Sequence, residues 1–262
     1  MSLLSVEQLG KSFGGVVAAR GVTFAVDAGK LLAVIGPNGA GKSTIFNMVG
    51  GQLAPDTGRV VLAGEDITAT PPRHRWRLGV GRTFQIAQTF VSMTVAENVQ
   101  MALISLNRRT RAWWPAAGAL YRDEAVALLE RVGMADNADR PCSELAYGDV
   151  KRVELAIALA GTPKLLLMDE PTAGMAPKER AQLMELTAGI ARERTIGVLF
   201  TEHDMDAVFG HADDIIVLVR GEIIAAGRPA EVRNNARVRQ VYLGGTEIGA
   251  RPSSQAAEAA QP

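Results

Sequence analysis

The sequence predicts an α/β fold with a mainly parallel sheet, an antiparallel β part at its N-terminus and a helical subdomain inserted in the core. Apolar runs without alternation, such as Leu31–Ile35 and Leu165–Met168, are typical of strands that helices cover on both faces. Segments 3–9 and 21–26 alternate roughly, as half-buried antiparallel strands do. Between about residues 84 and 148, apolar residues recur at three- and four-residue spacing, which indicates helices.

The sequence also predicts the character of an arginine-rich segment, the bounds of the domain, and the remaining helices and strands. The arginines at 73, 75, 77 and 82 alternate with other residues, which predicts a solvated strand or loop face without a site. One domain is expected over residues 1–245, with the helical subdomain at about 86–160, and the small polar residues of 246–262 predict a disordered tail. Helices are predicted at 43–49, 95–106, 122–132, 148–161, 178–192 and 205–211, further strands at 59–62 and 196–200, and a hairpin at 215–219 and 223–226.

The composition excludes several classes of function. The 262 residues carry 28 basic and 28 acidic side chains, and this balance argues against a nucleic-acid surface. The one cysteine, Cys142, excludes an intrachain disulfide framework, and with three histidines it makes a zinc site implausible. The longest apolar run, Leu155–Ala160, is far shorter than the roughly 20 residues that span a bilayer. Because Met1–Glu7 also lacks the features of a secretory signal, a soluble cytoplasmic protein is expected.

A glycine-rich segment follows the predicted strand at 31–35. Residues 36–43 match the pattern G-x-x-x-x-G-K-[ST]. The glycines allow the backbone N–H groups to form an anion nest, and the next helix directs its N-terminal dipole at the same anion. Lys42 would meet the β- and γ-phosphates, and the Ser43 hydroxyl would meet Mg²⁺. A P-loop NTPase core is therefore predicted, with a nucleoside triphosphate bound by Gly36, Pro37, Asn38, Gly39, Ala40, Gly41, Lys42, Ser43 and Thr44.

Two acidic residues and a histidine follow two later strands. Asp169 and Glu170 come directly after the strand at 165–168, at the edge where open α/β sheets bind ligands. Asp169 can join the Mg²⁺ shell, and Glu170 can orient or deprotonate the attacking water. His203, after the strand at 196–200, is predicted to contact the γ-phosphate through a hydrogen bond. A solvated acidic turn is the alternative for the two carboxylates, and the nearby P-loop disfavours it. A surface residue is the alternative for His203, and its place at the C-terminal end of a strand disfavours it.

Together these motifs resemble the ATP-binding subunit of an ABC transporter, and the similarity extends to about Gly245. Gln85 resembles the Q-loop glutamine of that family, and Phe13 resembles the aromatic residue that stacks on adenine. Leu145–Asp149 lies where the family carries L-S-G-G-Q, and His203 matches the switch histidine. The resemblance implies ATP and Mg²⁺ as ligands, catalytic residues Glu170, His203 and Gln85, metal contacts from Ser43, Gln85 and Asp169, and nucleotide contacts from Phe13, Ala146, Tyr147 and Gly148.

Within the family, residues 81–85 with 93–99, and 231–235 with 242–244, resemble importers of branched-chain amino acids. This implies integral membrane permease subunits, a second ABC ATPase subunit and, indirectly, a periplasmic solute-binding protein as partners. It also implies a peripheral location on the cytoplasmic face of the inner membrane. The transported substrate, the choice between homodimer and heterodimer, and the role of Arg108–Trp114 stay open; the sub-family resemblance favours a heterodimer.

Three residues depart from the family pattern. Ala146 replaces the signature serine, whose hydroxyl bond to the γ-phosphate would contribute roughly 1.5–3 kcal/mol. Asp149 replaces the usual glutamine and suits a first helical turn. Ala176 replaces the usual D-loop aspartate. These losses raise the question of whether one composite ATP site is weak.

The resemblance implies a mechanism in which two subunits face head to tail, each closing the other's ATP between Lys42 and the helix at Gly148. Binding would close the pair, and hydrolysis would release it. Gln85 would report the γ-phosphate to a membrane subunit. Two alternatives remain: a soluble ABC ATPase of a non-transport assembly machine, and a nucleotide-binding regulatory subunit that hydrolyses weakly.

Overall fold

The computed structural model describes residues 2–83, 89–107 and 120–243, and in these ranges the chain forms two sheets and a set of helices. The strands are β1 (Leu4–Phe13), β2 (Val16–Val26), β3 (Leu31–Ile35), β4 (Thr57–Leu62), β5 (Glu65–Asp66), β6 (Val80–Thr83), β7 (Leu165–Asp169), β8 (Gly197–Thr201), β9 (Asp214–Val219) and β10 (Glu222–Gly227). The helices are α1 (Lys42–Gly50), α2 (Pro72–Leu78), α3 (Val95–Leu106), α4 (Arg122–Arg131), α5 (Tyr147–Leu159), α6 (Pro177–Glu193), α7 (Met205–His211), α8 (Pro229–Asn234) and α9 (Ala236–Leu243).

The larger sheet carries the residues of interest at one edge. Its strand order is β10-β9-β3-β8-β7-β6, and every neighbouring pair is parallel except the hairpin of β9 and β10. In this register Asp169 is paired with Thr201, at the carboxyl ends of β7 and β8. The loop that follows β3 leaves the sheet at the same edge, because β3 is parallel to β8. The parallel sheet predicted from the sequence is thus confirmed.

The smaller sheet is antiparallel, with the order β2-β1-β4-β5. Leu4 is paired with Val26 on one side and with Leu62 on the other. The alternation predicted for this part is confirmed: along β2, Val22, Phe24 and Val26 are buried and the residues between them are exposed. One face therefore supports the core and the other faces solvent.

Two hydrophobic cores lie on opposite faces of the parallel sheet. Leu31, Ala33 and Ile35 of β3 belong to the core with α3, α4, α5, α6 and α7. Leu32 and Val34 belong to the core with α1 and the antiparallel strands β1, β2 and β4. Because successive strand residues point to opposite faces, burial on both faces produces the unalternated apolar run seen in the sequence.

The predicted helices between the P-loop and Asp169 are present in the described residues. α3 has the predicted bounds and begins with a capping box, in which Thr94 accepts from Glu97 N–H and Glu97 accepts from Thr94 N–H. Gly133, with φ +70°, follows the end of α4 as predicted. Among the described helices, none has the length and apolar character needed to cross a membrane.

Residues 73–82 do not form the solvated face that their arginines predicted. Residues 72–78 form α2 instead, with Pro72 at its first position, and Arg75 is 1% exposed. Arg73 and Arg77 are exposed on the same helix, whereas Arg82 is half-buried in β6. The prediction was wrong because long-range contacts, which a local pattern does not reveal, bury Arg75. α2, β6, α8 and α9 were also missing from the predicted elements.

Candidate nucleotide-binding site

The loop that joins β3 to α1 runs close to the backbone of two other strands. At two positions of the loop these strands leave room only for glycine. Gly41 has φ +104°, and a Cβ added there would lie 2.2 Å from the carbonyl oxygen of Ala18 in β2. At Gly36, an added Cβ would lie 2.2 Å from the carbonyl oxygen of Leu218 in β9. The motif glycines are therefore required by the close approach of neighbouring backbone, and the positive φ of Gly41 is available to glycine without strain.

Lys42 is the first residue of α1 and is only 8% exposed. Its Nζ donates to the carbonyl oxygens of Gly36 at 2.7 Å and Pro37 at 3.2 Å. Burial lowers the pKa of Lys42, and the negative charges of Glu170 and Asp169 oppose that shift. The ammonium group is thus held against the loop and within electrostatic reach of both carboxylates.

A cavity of about 270 Å³ lies between the loop, the start of α1 and the ends of β7 and β8. It brings together most of the P-loop residues predicted from the sequence, along with Glu170 and His203. Three small residues of β2 also line it, and the sequence analysis missed them because they carry no polar group. The lining residues are Val16, Val17, Ala18, Asn38, Gly39, Ala40, Gly41, Lys42, Ser43, Thr44, Glu170 and His203.

Phe13 lies at the end of β1, next to this cavity along the sheet. It is paired with Val16, which lines the cavity, and the side chain of Phe13 is about half exposed. The Nζ atom of Lys11 lies 5.7 Å from the centroid of its ring. An exposed aromatic ring at the rim is compatible with the predicted stacking on adenine, which stays a prediction.

Asp169 and Glu170 are fixed by the neighbouring strand. The Thr201 hydroxyl donates to Asp169 Oδ1 at 2.7 Å and accepts from the Glu170 N–H at 3.0 Å. Arg82 Nη2 lies 3.9 Å from Asp169 Oδ2 and donates to Asn47 Oδ1 on α1 at 3.0 Å. These contacts link the two acidic residues to β8 and to the P-loop helix.

Glu170 and His203 are in direct contact. Glu170 Oε1 and His203 Nε2 are 2.9 Å apart, and both side chains line the cavity. Glu170 has φ +47°, which is strained for a residue with a side chain and is often found at functional sites. The sequence predicted both residues as catalytic, and the structure brings them together beside Lys42.

A buried pair behind these residues was missed. Glu202 is 3% exposed, and its Oε1 accepts from the N–H and the hydroxyl of Thr172 at 2.8 and 2.6 Å. Its other oxygen accepts from the His203 N–H at 3.2 Å. The pair joins the segment after β7 to the segment after β8, so it holds Glu170 and His203 in register. The sequence offered one signal for this pair: Thr172 lies two residues after Glu170, and Glu202 directly precedes His203.

The comparisons with known proteins agree with this geometry. The model of the family described as "ABC transporter" matches residues 19–173, which include both the P-loop and Glu170. The chain belongs to the ABC transporter family. Its C-terminal part, residues 222–248, matches the model described as "Branched-chain amino acid ATP-binding cassette transporter".

Two relatives and one solved structure align with more than nine tenths of the chain. The chain is 39% identical to the high-affinity branched-chain amino acid transport ATP-binding protein LivG of Salmonella typhimurium, over 92% of this chain and 98% of the relative. It is 38% identical to BraF, which has the same description, of Pseudomonas aeruginosa, with the same coverage. A crystal structure of the ADP conformation of an ATP-binding cassette of an ABC transporter aligns with a TM-score of 0.83 at 34% identity, over 93% of this chain and 99% of that one.

The segment predicted to be the signature motif does not line the cavity. Ala146 precedes α5, Tyr147 is exposed, and Gly148 is buried in the first turn. Among the described residues that line the cavity, α5 contributes none. The structure therefore does not place Ala146, Tyr147 or Gly148, which were predicted to contact nucleotide, at the P-loop of the same chain.

Three further predicted features fall outside the described residues. The first two are Gln85, the predicted Q-loop residue, and the basic, tryptophan-containing segment Arg108–Trp114. The predicted disordered tail also lies outside this range.

Proposed function

We propose that this chain binds and hydrolyses Mg-ATP as the ATPase subunit of an ABC importer for branched-chain amino acids or related small organic solutes. The observation that carries the proposal is the convergence on one cavity of Lys42 from the P-loop and of the Glu170–His203 pair. The names of the relatives, LivG and BraF, support the class of substrate.

The triphosphate would occupy the loop at residues 36–44. Lys42 is placed to exchange its contacts with loop carbonyls for the β- and γ-phosphates, since its Nζ already lies against the loop. The N-terminal end of α1 adds its dipole and N–H groups to the same anion. Phe13 would stack on the adenine at the rim.

The donor set also fits a magnesium ion. Mg²⁺ takes one or two protein ligands together with phosphate oxygens and water. The Ser43 hydroxyl, which lines the cavity, and the Asp169 carboxylate, at the end of β7, are oxygen donors of this kind. Ser43 and Asp169, with Gln85, would hold the ion, which when bound neutralises charge on the phosphates.

Hydrolysis would rest on the carboxylate of Glu170. Glu170 would orient the attacking water and accept its proton, which is general-base catalysis. His203, whose Nε2 lies 2.9 Å from Glu170 Oε1, would turn its N–H from Glu170 to the γ-phosphate when ATP is bound. The buried hydrogen bond between Thr172 and Glu202 would hold together the two segments that carry Glu170 and His203.

Transport would require partners. A second ABC ATPase subunit would bring its signature helix to this P-loop, while Ala146, Tyr147 and Gly148 serve the partner's ATP. Permease subunits would bind at the cytoplasmic face of the inner membrane, and a periplasmic solute-binding protein would deliver the solute. Phe90 and Val91, which precede α3, and Met101, in the middle of α3, are exposed apolar residues that would offer a surface for a permease.

Reconstitution tests the proposal. The chain should copurify from membranes with two permeases and a second ATPase, and in proteoliposomes with the solute-binding protein it should drive ATP-dependent leucine uptake. A soluble assembly ATPase would copurify without permeases. A regulatory subunit, which Ala146 and Ala176 favour, would bind Mg-ATP with uptake unaffected by Glu170→Gln. Either of these two results would contradict the proposal.

A further inference from the structure

The P-loop helix ends next to a buried arginine that the proposed mechanism does not use. Arg75 is on α2, yet it is 1% exposed and is among the largest fully buried side chains described. Its guanidinium reaches the C-terminal end of α1, whose N-terminal residue is Lys42. Charged side chains are rarely buried in this way unless they have dedicated partners.

The partners of Arg75 are backbone carbonyl groups. Arg75 Nη1 donates to Met48 O at 2.7 Å and also to Val49 O, both in the last turn of α1. Nε donates to Thr70 O and Nη2 to Thr68 O, both at 2.8 Å. One planar fork therefore ties the end of α1 to the segment that leads into α2.

This contact adds a positive charge to a helix end that backbone alone caps: Gly51, in the left-handed conformation, donates its N–H to Met48 O. The last turn of α1 contains no basic residue, although a positive charge at a helix C-terminus stabilises the exposed carbonyls. Burial lowers the pKa of Arg75 to about 10, with the charge of Asp66 opposing the shift, so the side chain remains protonated at neutral pH. Packing is tight, because a Cβ added at Gly51 would lie 2.7 Å from Arg75 Nε.

We propose that Arg75 is a positioning residue for ATP binding: by holding the C-terminal end of α1, it fixes where the N-terminal end presents Lys42 and Ser43 to the phosphates. α1 is only nine residues, roughly 13 Å, long, so a tilt at one end moves the other. Arg82 also contacts α1, at Asn47, but on the side facing Asp169. The inference rests on the proposed function of the loop.

The test is the affinity of the full chain for Mg-ATP, measured by titration calorimetry at a temperature where circular dichroism shows every variant folded. Arg75→Met should raise Kd by about ten- to hundredfold, by analogy with the loss of a residue that orients the ligands of a metal ion. In the assembled ATPase it should raise KM similarly and leave kcat within about threefold, since Glu170 and His203 are untouched. Arg75→Lys, which keeps the charge but not the fork, should fall between wild type and Arg75→Met.

Arg73→Met and Arg77→Met are matched controls, because both arginines are on α2 and exposed, and they should leave Kd unchanged. A folded Arg75→Met chain with a lowered Tm and wild-type Kd would overturn the inference and leave Arg75 a purely structural residue. If Arg75→Met does not fold, Arg75→Lys decides in the same way. Failure of the wild-type chain to bind Mg-ATP would instead contradict the proposed function.

Discussion

Two helix N-termini of this chain are assigned to phosphate, and they are built differently. α1 follows a glycine loop and begins with Lys42, whose ammonium is held by loop carbonyls beside two carboxylates. α5 follows Ala146, whose methyl group cannot cap a helix, and its first turn carries Asp149. The next basic residue, Lys151, is buried and pairs with Glu154 at 3.1 Å. The α1 end thus combines backbone N–H groups with a cation, as the proposed phosphate site requires, whereas the first turn of α5 contains no basic residue.

This difference shows which contacts with the nucleotide a single chain can supply and which require a second subunit. The α1 site is assembled from β2, β3, β7 and β8 of the same chain, so it should bind nucleotide without a partner. The α5 end lacks the charge to bind ATP by itself, so it should act only on a nucleotide that another P-loop already holds.

The largest effect is expected from Glu170→Gln, which tests the α1 site as a catalytic centre. The amide cannot accept a proton from water, so kcat should fall about 10³-fold, in the range of general-base catalysis. Because the amide is isosteric, the Kd for Mg-ATP should stay near the wild-type value. ATPase turnover and equilibrium binding check this, and turnover close to wild type would remove Glu170 from the mechanism.

His203→Ala should have the next largest effect. Loss of the 2.9 Å contact with Glu170, and of one donor to the γ-phosphate, should lower kcat roughly 10²-fold. His211, on α7, is the matched control, because no contact with the cavity is assigned to it, and His211→Ala should retain turnover. Equal losses in the two variants would show that His203 has no special role.

Gly41→Ala tests whether the shape of the loop depends on its contact with β2. The substitution combines φ +104° with a Cβ placed 2.2 Å from Ala18 O, so unfolding should become easier by about 2 kcal/mol. Gly39 has φ +77° but nothing within 4 Å of an added Cβ, so Gly39→Ala should cost less. Urea denaturation of both variants checks the order, and the reverse order would refute it.

The smallest effect is expected at α5. Ala146→Ser restores a hydroxyl at a position with extended backbone, φ −64° and ψ 151°, where serine can cap the helix. Stability should rise by about 1 kcal/mol, measured by urea denaturation, and ATPase activity should rise only in the assembled complex. A rise in the activity of the isolated chain would break the contrast between the two helix ends.

The same contrast explains what the sequence could predict. Local sequence signals were sufficient to predict α3 and α7, whose observed bounds match the predicted ones. They were also sufficient to group the residues of the α1 site, because Lys42 and the glycines are contiguous and because Glu170 and His203 follow buried strands. The structure supports these groupings by geometry, while their chemical roles remain predictions.

Long-range contacts could not be predicted. The burial of Arg75 depends on carbonyls in α1, and the pairing of Thr172 with Glu202 depends on the register of β7 with β8. Val16, Val17 and Ala18 line the cavity through the fold of the antiparallel sheet, and their side chains carry no chemical signal. In each case the neighbour is distant in sequence, so periodicity and motif spacing carry no information about it.

The most direct test compares the two helix ends in one measurement, the Kd of the isolated chain for Mg-ATP. Lys42→Met should raise Kd about 100-fold, because the charge proposed to bind the phosphates is lost and a hydrogen bond to a charged group contributes about 1.5–3 kcal/mol. Gly148→Asp should leave Kd unchanged in the isolated chain, because α5 does not line the cavity, and it should abolish ATPase activity in the assembled complex, because it adds a negative charge to the helix end offered to the partner's phosphate. Since the new carboxylate would lie near Glu179, both variants are compared at a temperature where circular dichroism shows them folded. Equal loss of affinity in both variants, or in neither, would contradict a complete site at α1 with an α5 end that acts only across subunits.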